Sequence, residues 1–379
     1  MSGKAPERLG WLYSKFWSPP KPPPESLPMP GRSDDISHET LLAMQKEMLQ
    51  KVTMNGVDLD SLYGQTLQKI REQKGELPRL GMKVLMWVSH SKRQLRMNEL
   101  LYALAVGPEE KDFYSKIIPS KDTVLGSCLG LVMAEKGTSR VRLIDDTLQQ
   151  YLSRPGILFG SHKLLGETCI AYLNFPSVKA LRADEIGDLG QYPFLEYASR
   201  YWGTHAKFGL SDQAKTLAPE LLENFENQIF FTLFVKRSIG YYSSDTCHPF
   251  TGLHLASFLG IDSLVATLIK VKSCDINQRD AREYTPLMWA VERRNHGAAG
   301  LLLTCDGVEP DKPVYDKTPL MRAINHGDDE MVRVLMHGGA DPTKPDRYGE
   351  TPLIVASFPW NKRMLGLLKL PPITISDLD

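Results

Sequence analysis

Four copies of one short motif, near the end of the chain, constrain its fold more than any other feature. Thr251-Gly-Leu-His-Leu-Ala, Thr285-Pro-Leu-Met-Trp-Ala, Thr318-Pro-Leu-Met-Arg-Ala and Thr351-Pro-Leu-Ile-Val-Ala begin 34, 33 and 33 residues apart. A repeat of this length is one supersecondary unit that buries its apolar face only by stacking on its neighbours. The threonine can cap a helix, and the proline occupies the first helical position, where its missing N–H costs nothing. The leucine and alanine that follow then face the neighbouring helix pair. Gly260 and Gly327 end two of these first helices. Leu301–Leu303 and Val334–Met336 belong to second helices, and Gly338-Gly339-Ala340-Asp341 gives one of them a clean stop.

Period and motif together resemble ankyrin repeats. That resemblance implies binding of proteins through hairpin tips and a concave helix face, and not catalysis. Counted from each threonine, the variable first-helix positions are Leu255, Phe258, Leu259, Trp289, Glu292, Arg293, Arg322, Asn325, His326, Val355 and Phe358. Tryptophan and arginine dominate interface hot spots, and Tyr315 and Tyr348 share one hairpin position in successive repeats. Phe258, Trp289, Arg293, Arg322, His326, Tyr315 and Tyr348 are therefore the candidate partner-binding residues. The alternative is that some of the aromatics pack against the central part of the chain. Two positions depart from the pattern. Arg294 stands where glycine is expected, and the fourth copy runs into Pro359-Trp360 and a shortened tail, as a closing cap would.

The remainder reads as a series of segments. Residues 1–35 form a Pro-rich arm expected to be unfolded, with seven prolines in Ser18–Gly31. Pro19-x-x-Pro22 is either a docking motif or a stiff spacer, and Trp11, Tyr13, Phe16 and Trp17 precede it. A helical segment follows at 36–79: Ser37 can cap a helix whose apolar face is Leu41, Met44, Met48 and Val52. A second helix over Ser61–Gln73 is expected to be interrupted by Gly75 and Pro78. In 80–155 the pattern predicts helices at Leu80–Ser89, Met97–Val106 and Asp122–Cys128, then a hairpin of Gly130–Ala134 and Arg140–Ile144. Three helices and a hairpin suggest a winged helix. Residues 156–245 read as a helical linker region, rich in aromatics such as Tyr192, Phe194, Tyr197, Tyr201 and Trp202, that packs between its neighbours. The expected fold class is mainly α: a winged-helix domain, the helical linker region and a C-terminal ankyrin-repeat solenoid of four repeats over 246–379.

Leu80–Val106, Gly126–Leu152 and Tyr192–His205 resemble fungal NACHT–ankyrin proteins, NLR-like chains whose winged helix is of the type named for GPI inositol-deacylase. The resemblance covers roughly residues 60–210 and joins the repeats. It implies a regulatory role, which in such proteins includes transcription coregulation beside metabolic gene clusters. An accessory part in an NLR-like defence assembly is the alternative, and a residual hydrolase or NTPase a third. The sequence departs from that family in two places. No G-x-x-x-x-G-K-[ST] occurs, so no loop of backbone N–H groups is present to cradle phosphates. Where the family reads Leu-Val-His, this chain has Leu143-Ile144-Asp145, and a carboxylate would repel a phosphate.

Composition agrees with a binding protein. Lys+Arg and Asp+Glu are each 45, which argues against a nucleic-acid coat or a polybasic membrane binder. The clusters Lys83, Lys92, Arg93 and Arg96 are basic, but Asp122–Cys128, the expected reading helix, has no Lys or Arg, so direct DNA readout is not expected. Five scattered cysteines fit neither a disulfide framework nor a zinc site. With no signal peptide and no apolar run of membrane length, an intracellular protein of cytoplasm or nucleus is expected. Gly126-Ser-Cys-Leu-Gly130 mimics a nucleophile elbow, but a helix precedes Cys128 and a strand follows, the reverse of what an elbow needs. Cys128 is expected to pack in a core, and His254 to bond within its own turn. No catalytic residue, cofactor or metal is expected.

Overall fold

A computed structural model describes residues 38–54, 58–106, 118–135, 137–158, 160–181, 189–222, 230, 233–234, 250–271 and 274–368. The Pro-rich arm, its four aromatics and Ser37 lie outside the described residues. The described part is mainly helical, with one two-stranded antiparallel sheet.

The first five helices are α1 His38–Thr53, α2 Leu59–Arg71, α3 Leu77–His90, α4 Met97–Ala105 and α5 Lys121–Gly126. Pro78 does not interrupt a helix, as its position suggested. It sits in the first turn of α3, where an N–H is unpaired in any case. The boundary expected between residues 79 and 80 therefore falls inside α3. Met48, Tyr63, Leu67 and Ile70 from α1 and α2 share one apolar core with Val84, Leu85 and Trp87 from α3. Strands β1 Val132–Ala134 and β2 Val141–Leu143 then pair with Val132 opposite Leu143 and Ala134 opposite Val141. A third short pairing sets Arg96, between α3 and α4, opposite Arg140. Cys128 is fully buried behind this hairpin and burial pushes its thiol up to about 12, as suits a packed, unreactive side chain.

Helices α6 Asp146–Leu152, α7 Ser161–Leu173, α8 Pro176–Lys179, α9 Leu195–Ala206 and α10 Asp212–Leu222 make up the middle. Their aromatics join the N-terminal helices to them: the Trp87 ring meets Phe194 edge-on at 5.4 Å and Tyr197 at 5.9 Å. Beside this cluster runs a polar chain. The Lys92 N–H donates to Tyr197 Oη at 3.1 Å, and Tyr197 Oη lies 2.9 Å from His205 Nε2. His205 Nδ1 in turn lies 2.9 Å from His162 Nδ1. Burial drives His205 down to about 3 and His162 to about 4, so both rings are neutral and act as structural donors and acceptors.

The C-terminal part is a row of helix pairs: α11 Gly252–Leu259 with α12 Asp262–Leu268, α13 Pro286–Glu292 with α14 His296–Leu303, α15 Pro319–Asn325 with α16 Asp329–His337, and α17 Pro352–Ser357 with α18 Met364–Leu367. All eight residues of α11 are buried, which the first helix of an open-ended stack would not be. The middle helices cover it. A Cβ on Gly203 of α9 would lie 2.4 Å from Leu259 Cδ1, and one on Gly252 would lie 2.8 Å from Leu222 Cβ of α10. Glycine at both points lets helices approach more closely than any other residue allows. Among the described residues no helix is long and apolar enough to cross a membrane.

Candidate functional site: the repeat surface

Each first helix starts as its sequence dictates. The hydroxyls of Thr285, Thr318 and Thr351 accept from the N–H groups of Met288, Met321 and Ile354 at 3.1, 3.3 and 3.2 Å. Each of these helices has proline in its first turn. In the first copy, His254 Nδ1 accepts from the Thr251 N–H at 3.0 Å, so the ring proton sits on Nε2. That Nε2 faces the carbonyls of Gln278 and Tyr284 at 3.0 and 3.1 Å, in the hairpin leading to the next repeat. His254 thus bonds within its own turn, as expected, and also ties two repeats together. Burial lowers it to about 4.

Three of the four first helices end in the left-handed region, and the fourth, α17, ends in extended backbone at Phe358. Gly260 and Gly327 have φ of 65° and 64°, and Arg294 takes φ of 55° where the pattern calls for glycine. Its guanidinium Nη2 donates to the His326 carbonyl at 2.8 Å, a bond that partly offsets the strained backbone.

The hairpins between helix pairs are braced by buried carboxylates. Asp280 is wholly buried, and its Oδ1 accepts the N–H groups of Arg282 and Tyr284 at 2.8 and 2.9 Å. Asp346 repeats the arrangement with Tyr348 and Glu350 at 2.8 and 3.0 Å, and Lys317 Nζ donates to its Oδ2 at 2.9 Å. Burial raises the carboxyl of Asp280, whereas the Lys317 ammonium holds that of Asp346 below the usual range. Between them, Val314 and Lys317 exchange two backbone bonds at 3.0 Å across a two-residue loop of Tyr315 and Asp316. Both loop residues have positive φ, 45° and 67°, the pattern of a type I′ turn in which glycine or asparagine is the usual occupant.

This frame sorts the candidate residues into three groups. Tyr315 and Tyr348 stand 63% and 69% exposed on the hairpin tips. Arg347 Nε pairs with Asp316 at 2.7 Å, and its guanidinium lies 4.8 Å over the Tyr348 ring, so the second tip is held from both sides. Arg293 is exposed, its guanidinium 4.5 Å above the Phe258 ring. Arg322 and His326 are half-buried, and among the described residues neither Arg322 Nε nor His326 Nδ1 has a hydrogen-bond partner. His326 Nε2 lies 3.8 Å from Glu292. Phe258 and Trp289, by contrast, are interior, at 6% and 4% exposure. Their rings meet edge-on at 5.2 Å, Phe250 packs on Trp289 at 5.9 Å, and the Trp289 indole N–H donates to Asp280 Oδ2 at 2.8 Å. Phe258 and Trp289 are therefore core residues, not the partner-binding surface residues that their helix positions predict. What covers them comes from Phe234, Phe250 and the hairpin, which counting along one helix does not reveal.

Asp280, Asp346 and Lys317 are the residues that the motif count passed over. Asp280 and Asp346 lie 66 residues apart, twice the repeat period, and that spacing was readable in the sequence.

Residues 253–346 match the family model of ankyrin repeats in three copies. This segment consists of ankyrin repeats. The match ends before Thr351, yet the same threonine cap, proline start and helix pair continue there as α17 and α18. Ankyrin repeats of this kind mediate contacts between proteins. Among the described residues no group of three or more His, Cys, Asp or Glu side chains is placed to hold a metal ion.

Proposed function

We propose that this protein is a non-enzymatic adaptor whose ankyrin array holds a protein partner. The tips at Tyr315 and Tyr348 make the contact, and Arg293, Arg322 and His326 extend it along the inner face. One observation carries this reading: large aromatics stand out in water on successive hairpin tips, Tyr315 on a strained left-handed turn and Tyr348 against the Arg347 guanidinium. A left-handed tyrosine costs free energy, and backbone strain of that kind gathers at functional sites. Tyrosine and arginine are also the side chains that anchor interfaces. The test is affinity capture from the native cell with the intact chain, a Tyr315→Ala/Tyr348→Ala variant and an Arg293→Glu/Arg322→Glu variant. The expected result is loss of the same partner with both variants. Equal recovery by all three proteins would sink the proposal.

The finer reading is a regulatory protein related to fungal NACHT–ankyrin chains, acting as a transcription coregulator. The succession of α3, α4 and α5 followed by the β1–β2 hairpin supports a winged helix here, and the resemblance of residues 60–210 supports the regulatory role. Nuclear accumulation of a tagged protein is the expected outcome, and a purely cytoplasmic location would count against coregulation. Tight Mg-dependent ATP binding would overturn the non-enzymatic part of the proposal.

A further inference from the structure

The bridge between Arg96 and Arg140 sets two like charges directly opposite one another. The bonds that flank it run from the Met97 N–H to the Ser139 carbonyl at 2.7 Å and from the Val141 N–H to the Leu95 carbonyl at 2.8 Å. Arg96 and Arg140 are thus the non-hydrogen-bonded pair of an antiparallel bridge, the position at which opposed side chains stand closest. Like charges set directly opposite one another destabilise a ladder. Both side chains are exposed, and among the described residues neither guanidinium is paired with a carboxylate.

The nearest acid is already engaged. Glu99 is 5% exposed; its Oε1 and Oε2 each accept from the Arg93 guanidinium at 2.7 Å, and Oε2 also accepts the Arg96 N–H at 2.7 Å. That bidentate pair is neutral as a unit and forms the floor of a recess of about 270 Å³ lined by Arg93, Arg96, Glu99, Arg140 and Glu196. A second recess of about 420 Å³ adjoins it along Arg96, Glu99 and Glu196, and Lys121 enters its wall. With Arg93 and Glu99 cancelling, the described lining of the two recesses holds three further cations, Arg96, Arg140 and Lys121, and one further acid, Glu196.

We propose that this recess binds a phosphate monoester. Paired guanidiniums present parallel N–H donors that match phosphate oxygens bidentately. A monoester carries about −1.5 to −2 charges at neutral pH, so it neutralises both arginines at once, which the singly charged diester of a nucleic-acid backbone does not. The ligand thereby relieves the repulsion that the fold itself sets up, and the pairing of strand and hairpin is stabilised by its occupant. The same phosphate chemistry is found on a small phosphorylated metabolite and on a phosphorylated side chain of a protein. This site lies on the N-terminal helices and is independent of the partner surface proposed for the ankyrin array.

Thermal unfolding and calorimetric titration of the full chain with inorganic phosphate, at ionic strength held constant with chloride, test the proposal. Phosphate is expected to raise the unfolding temperature saturably. Arg96→Gln/Arg140→Gln, whose sites are exposed, should weaken the association by about tenfold to a hundredfold. In phosphate-free buffer that variant should unfold no lower than the wild type, because its like-charge pair is gone. The Arg71→Gln control, on exposed α2 surface, should respond to phosphate as the wild type does. No saturable response in the wild type, or the same response in the double variant, overturns the proposal. In further titrations, glucose 6-phosphate binding more tightly than inorganic phosphate identifies a metabolite as the source. A phosphoserine peptide doing so identifies a protein, and equal affinities for all three probes confine recognition to the phosphate group.

Discussion

Replacing Trp289 by phenylalanine tests whether the hairpins are braced from inside. The indole N–H is the donor to Asp280 Oδ2 at 2.8 Å, while Oδ1 is occupied by two backbone N–H groups of the loop. Phenylalanine keeps most of the ring packing and removes that donor, leaving a carboxylate oxygen facing an apolar wall. A hydrogen bond to a charged group contributes about 1.5–3 kcal/mol. The smaller ring also leaves space beside Phe250, Phe258 and Tyr284, at a further cost of about 1 kcal/mol. Trp289→Phe should therefore destabilise by about 3 kcal/mol, measured by urea unfolding followed by circular dichroism. Asp280→Asn in the same background gives the coupling, expected at about 2 kcal/mol, because the two side chains belong to one network. Burial holds the Asp280 carboxyl above its ordinary pKa, so its charged form is a cost that appears as pH rises through the folded value and is relieved as pH falls. The gap between Trp289→Phe and wild type should accordingly narrow toward acid, where a protonated carboxyl needs fewer donors. A loss below about 1 kcal/mol together with zero coupling would refute the idea that Asp280 and Trp289 act as one brace.

Two further outcomes follow from the geometry. Arg294→Gly should stabilise by up to about 1 kcal/mol in a thermal melt, since glycine takes the left-handed conformation freely and only one exposed hydrogen bond is lost. His254 sits at about 4 in the fold against an unfolded value of about 6.5; its contribution is complete above the unfolded value and is lost as pH falls toward 4, about 3 kcal/mol in all. His254→Gln should flatten the stability profile over that interval, and an unchanged profile would remove the histidine from the account.

What the sequence revealed, and what it did not, follows from the range of the forces involved. The repeat was legible because caps, first-turn prolines and left-handed termini are local: Thr318 needs only Met321, three residues on, to be recognised as a cap. The hairpin was placed within a residue or two, its strands being shorter than the apolar runs that announced them. Pro78 is ambiguous in sequence because proline both breaks a helix and begins one, and only the course of the chain before it decides which. Phe258 and Trp289 fall on the expected helix face, but Phe250 and Asp280 that cover them belong to other segments, so their burial is a tertiary fact. The opposition of Arg96 and Arg140 was invisible for the same reason, the two being 44 residues apart with α4 and α5 between them.

The wholly buried helix α11 has a consequence for how the array can be handled. An isolated fragment beginning at Thr251 would turn Leu259, and the α11 side that packs on Gly203 and Leu222, out into solvent. Such a piece would be sticky and would fray from its leading edge, whereas α9 and α10 supply in the intact chain the lid that a free-standing solenoid must encode for itself. Expression limits drawn at the repeat motif would cut through the array's own end plate; limits drawn before α7 would keep it.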